Sequence, residues 1–67
     1  MMRLAELLDK YLDGMDVIAV KRYGSEYTVM YRDKRNVCTP YIIHHLNGSG
    51  LYCGRYYANE ADAEEDY

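Results

Sequence analysis

The sequence predicts an α+β domain: an N-terminal helix packed on a small antiparallel sheet of three to four strands, then a short acidic C-terminal helix or tail. Three observations predict it. Apolar residues recur at helical spacing in the first 14 positions. Short β-rich runs are then separated by compact turn signals. A capping residue and a run of acids and alanines close the chain. With 67 residues there is room for a single domain, with a folded body over 1–58 and an acidic end over 59–67.

Leu4, Leu7, Leu8 and Tyr11 fall on one stripe, and Arg3, Glu6, Asp9, Lys10 and Asp13 lie off it. This pattern predicts an amphipathic helix of about three turns. Gly14 is its expected terminator, because glycine takes a left-handed cap without steric cost. Asp16 to Tyr23 is β-branched at Val17, Ile18 and Val20 and reads as a strand. Gly24-Ser25 is a turn, after which Glu26 to Arg32 alternates. Tyr27, Val29 and Tyr31 point one way, and Thr28, Met30 and Arg32 the other. Residues 33–36 have turn composition, and Pro40 keeps Val37 to Thr39 out of a ladder, so the next strand starts near Tyr41. Tyr41 to Leu46 and Leu51 to Tyr57 flank Asn47-Gly48-Ser49-Gly50 and form a hairpin. Asn59 is the expected N-cap of a last short helix, with Asp62 at its third position.

Composition excludes some classes of function. No apolar run approaches the roughly 20 residues of a membrane span. The charged residues among positions 1–14 do not suit a secretory leader and point to the cytoplasm. There are nine Tyr and neither Trp nor Phe. A domain this small cannot bury nine such rings, so several are expected to face solvent or a partner. Charge is unevenly placed. Residues 1–58 carry six acids and eight bases, and residues 59–67 carry Glu60, Asp62, Glu64, Glu65 and Asp66 with no base. A slightly basic body thus bears a concentrated acidic end.

Candidate chemistry is sparse. Cys38, His44, His45 and Cys53 follow a C-x5-H-H-x7-C spacing that lacks the close pairs of a zinc site. Neighbouring histidines on a strand also point to opposite faces. Neither metal nor cofactor is expected, and the cysteines read as reduced, small apolar residues. Hairpin pairing places His44 near Cys53, which permits a nucleophile pair. A sheet this small has little depth for the pocket such chemistry needs, so no enzyme is expected. Lys21, Arg22, Arg32, Lys34, Arg35 and Arg55 interleave with Tyr23, Tyr27, Tyr31 and Tyr56. That composition suits a regulatory nucleic-acid-binding module. Net charge disfavours direct binding of nucleic acid. Self-association as a homodimer is a third reading.

The acidic end carries the leading expectation. Glu60 and Glu64, and likewise Asp62 and Asp66, are spaced to share helix faces. They follow Tyr56 and Tyr57 and end in Tyr67, so carboxylates sit among aromatic anchors. Such a set suits a basic cleft on a protein partner, in which carboxylates stand in for phosphates.

Tyr52, Gly54, Tyr56 and Tyr57, then Glu60-Ala61 and Asp66-Tyr67, resemble the ending of small accessory proteins of Gram-positive phages and conjugative elements. These carry a Y-x-G-x-Y-[FY] hairpin followed by an acidic stretch with E-A and D-Y. The match covers about 20 residues; that group often continues its helix with a basic residue, whereas the sequence here stops at Tyr67. The resemblance implies counter-defence work in a bacterial host, in particular as an anti-CRISPR protein that blocks DNA recognition by a Cas9-type nuclease.

Overall fold

The computed structural model describes residues 3–67 and contains α1 (Leu4–Tyr11), β1 (Asp16–Tyr23), β2 (Glu26–Arg32), β3 (Tyr41–Asn47), β4 (Gly50–Tyr57) and α2 (Glu60–Asp66). Met1 and Met2 lie outside the described residues. The four strands form one antiparallel sheet in the order β1-β2-β3-β4. Each is joined to the next by a local connection, so β1 and β4 are the two edges.

α1 is shorter than the three turns expected. It closes at Tyr11, with the Leu12 N–H donating to the Leu8 carbonyl at 2.8 Å. Leu12 leaves helical geometry to enter the core, so the helix ends before Gly14, which still takes the left-handed φ of +81° in the connection to β1. Burial of one more leucine outweighs the last helical turn.

The sheet alternates as expected, and each of its faces carries its own core. On one side Val29, Tyr31, Ile42 and Leu46 pack with Leu7 and Leu12 from the α1 end of the chain. On the other, Met30 and Ile43 pack against Ala63 of α2, flanked by Ala19, Tyr41, Tyr57 and Tyr67. The sheet therefore lies between two helices. The acidic end is docked on the face that the first helix leaves open. Val29 and Leu46 are fully buried, and truncating either to alanine removes about 2–4 kcal/mol.

Two bulges interrupt the ladders. Between Val17 and Ala19 the β1–β2 register slips, leaving Ile18 unpaired. Between Ile43 and His45 the β3–β4 register slips, so that Cys53 and Gly54 oppose His44 alone. Cys53 there adopts φ +54°, a left-handed conformation rare for a residue with a Cβ.

Candidate functional site

α2 begins as its sequence predicts. The Asn59 side-chain oxygen accepts from the Asp62 N–H at 2.9 Å, satisfying one donor of the first turn. Ala63 is fully buried at 0% exposure beneath the helix. The small side chain lets the α2 backbone approach Met30 and Ile43. At the C-terminal end, the Asp66 carboxylate accepts from Arg55 Nη1 at 3.0 Å and from the Tyr57 hydroxyl. The Tyr57 bond first, then Arg55, hold the Asp66 carboxyl below the usual range. In return Asp66 raises the pKa values of Tyr57 and Arg55. The Tyr67 hydroxyl donates to the Thr28 carbonyl at 3.3 Å. Lys21 donates to the Tyr67 carbonyl and stands 4.3 Å from the centre of its ring.

These contacts divide the expected binding residues. Glu60, Asp62, Glu64 and Glu65 are exposed. A shallow groove lined by Tyr57, Asp62, Glu65 and Asp66 runs beside them. Asp66 already has two partners within the chain, and Tyr57 and Tyr67 pack against the second core. Tyr56 alternates with Tyr57 along β4 and so faces the α1 side, where its ring, 54% exposed, meets His44 edge-on at 6.0 Å. The three tyrosines therefore do not form one anchor set with the acids. Sequence reasoning missed Lys21, Arg55 and Ala63 as the residues that fix α2. Arg55 lay within reach, because it sits two positions before Tyr57 on the same strand face. No local pattern marked Lys21 or Ala63.

The histidines do lie on opposite faces. On the α1 side, the Tyr31 hydroxyl and His44 Nδ1 share a hydrogen bond of 2.9 Å, and the two rings stack. Burial, helped by the nearby His45, pushes the His44 pKa down. Burial likewise raises Tyr31 to about 12. On the α2 side, His45 Nδ1 lies 3.1 Å from Thr28 Oγ1, and its ring meets Tyr52 at 5.3 Å. Tyr52 donates to Glu26, which raises the phenol to about 12 and holds the carboxyl below its usual value.

Cys53 lines a cleft on the α2 side together with His45, Lys21, Tyr23, Arg55 and Tyr67. The Cys53–His44 pair that the register permits is not assembled, because at the bulge Cys53 lines the α2-side cleft while His44 faces Tyr31 on the other side. Cys38 sits exposed in the loop before β3. Among the described residues, no three metal-ligating side chains converge.

The interleaved cations and tyrosines are also divided. Lys21, Tyr23, Arg32 and Arg55 lie on the α2 face, and Arg22, Tyr27, Tyr31 and Tyr56 on the α1 face. No helix among the described residues is long and apolar enough to cross a membrane. No family model, curated protein or solved structure matches this chain.

Proposed function

We propose that this chain is a non-enzymatic inhibitory binding protein whose α2 carboxylates mimic nucleic-acid phosphates in the basic cleft of a partner protein. The observation that carries the reading is the asymmetry of α2. Ala63, Asp66 and Tyr67 dock the helix on the sheet, and Glu60, Asp62, Glu64 and Glu65 remain exposed. Carboxylates held on a docked helix lose less freedom on binding than those of a flexible tail. They are spaced to meet several Arg or Lys groups at once. The resemblance to mobile-element accessory proteins makes a Cas9-type nuclease in the bacterial cytoplasm the first partner to test. There the carboxylates would occupy the arginines that read the protospacer-adjacent motif.

The test is DNA cleavage by such a nuclease with and without the protein. Replacing the four exposed acids together (Glu60→Gln, Asp62→Asn, Glu64→Gln, Glu65→Gln) is expected to abolish inhibition and leave the melting temperature within a few degrees of the parent. Inhibition by the parent should weaken as salt is raised from about 0.1 M, where the screening length is already about 10 Å. Undiminished inhibition by the neutralised variant overturns the assignment of these residues.

A further inference from the structure

We infer that the sheet face beneath α2 is a binding site for single-stranded nucleic acid, which the end of α2 occupies within the same chain. The inference stands apart from the exposed acids of the preceding section, because it rests on the inward side of the helix. Three contacts carry it. Asp66 gives Arg55 an anionic oxygen, the Tyr67 carbonyl gives Lys21 an acceptor, and the Tyr67 ring lies flat against the Lys21 ammonium. An anionic oxygen for a guanidinium, an acceptor for an ammonium and a π-face for a cation are what one nucleotide offers such a surface. The C-terminal end of α2 thus makes a nucleotide's contacts.

The face continues beyond the helix. A cleft of about 180 Å³ opens next to Tyr67, bounded by Tyr23, His45, Cys53 and Arg55. Tyr23 is 72% exposed, and the Tyr52 ring beside His45 is exposed as well. The rings of Tyr23, His45 and Tyr52, presented from β1, β3 and β4, share this face. Unstacked bases can lie on such a surface, whereas a duplex keeps its base faces stacked and out of reach. Without residues 59–67 the chain carries a net charge of +2, so the self-repulsion that disfavours phosphate binding is a property of the docked end.

α2 is also held lightly enough to be displaced. Its fully buried contact is one alanine, supplemented by the half-buried Tyr67, and the Arg55–Asp66 pair is solvent-exposed. Exposed pairs contribute little to stability.

The experiment measures binding of fluorescein-labelled oligothymidylate by anisotropy to the full chain and to Ala63→Gln, a charge-neutral side chain too large for its site. Ala63→Gln is expected to bind at least tenfold more tightly than the parent. With phosphate contacts from Lys21 and Arg55, log K should fall with log salt at a slope of about −1.4, roughly a sevenfold loss between 50 and 200 mM. Adding Lys21→Ala or Arg55→Ala should return affinity to the parental level. No gain in Ala63→Gln, with amide exchange showing the sheet intact and α2 released, overturns the inference. If that variant unfolds or keeps α2 docked, Asp66→Asn/Tyr67→Ala takes its place under the same two outcomes. All these variants retain Glu60, Asp62, Glu64 and Glu65, so failure here and failure of the inhibitory reading are distinguishable.

Discussion

Gly54 offers the sharpest test of how the second bulge is built. A Cβ at this position would lie 2.3 Å from His44 Nε2, 2.9 Å from its Cδ2 and 3.0 Å from its Cε1. All three are ring atoms, so the imidazole cannot yield by bending and must leave as a unit. Its departure breaks the hydrogen bond to Tyr31, whose side chain belongs to the α1-side core and is only 5% exposed. A buried hydroxyl left unpaired costs about 1–3 kcal/mol. Loss of the stacked Tyr31–His44 contact adds about 0.5–1.5 kcal/mol. Alanine recovers about 0.5–1 kcal/mol through the lower entropy of the unfolded chain. Gly54→Ala is therefore expected to destabilise the fold by about 0.5–4 kcal/mol, and a loss of about 2 kcal/mol, near the middle of that range, lowers the melting temperature of a domain this size by roughly 8–16 °C.

Urea and thermal unfolding of four proteins complete the argument: parent, Gly54→Ala, His44→Ala and the double variant. With the imidazole gone, the three closest contacts of the new Cβ are removed, so Gly54→Ala in the His44→Ala background should be neutral or slightly stabilising. The coupling between the sites should then be of the same size as the single-site loss. Equal losses in both backgrounds, or a Gly54→Ala protein as stable as the parent, would refute the steric account.

Three further outcomes are expected. Cys53→Gly should raise the urea midpoint, because relief of about 1–2 kcal/mol of left-handed strain outweighs the roughly 0.5–1 kcal/mol entropy cost of glycine, for a net of up to about 1.5 kcal/mol. Asn59→Ala should cost about 1 kcal/mol, read as faster amide exchange at Asp62 and Ala63. Stability should fall in two acid steps and one alkaline step. His44 titrates below its usual 6.5 when folded, so its share is complete above that pH and is lost as pH falls toward the folded value. Glu26 and Asp66 lose theirs below their usual 4.5 and 3.8. Tyr31, raised to about 12, loses its share as pH climbs from 10 to about 12. His44→Gln should flatten the first step, and Tyr31→Phe should reduce the last.

Most of the fold was legible because local chemistry and tertiary packing agree. The bounds of β1 and β2 follow from β-branched and alternating runs around Gly24-Ser25, and the cap of α2 follows from Asn59. β3 and β4 each extend one residue further than expected, to Asn47 and from Gly50, because Gly48 and Ser49 alone make the turn. The bulges were not legible, since each depends on how one strand meets another. Their consequence is large: one slipped residue changes which face every later side chain occupies, and it puts Cys53 in the α2-side cleft, away from the His44 ring. The available signal was Gly54 itself, since a glycine inside a strand pattern marks a bulge or a close approach. The division of the acidic end was equally hidden, because sequence counts charges and cannot see which of them already have partners.

That division makes Asp66 the residue on which the two functional readings separate. In the sequence it belongs with the other four acids as one patch. In the fold its carboxylate is held by Arg55 and Tyr57, and only Glu60, Asp62, Glu64 and Glu65 are left for a partner. Asp66→Asn should therefore inhibit a sensitive nuclease as well as the parent does. The same change frees Arg55 and should strengthen oligothymidylate binding. Loss of inhibition in Asp66→Asn at unchanged stability would mean that the partner contacts Asp66 directly. That carboxylate is partly exposed within its pair with Arg55 and borders the same groove as Asp62 and Glu65, so the partner would then share it with Arg55, and five acids rather than four would face the cleft.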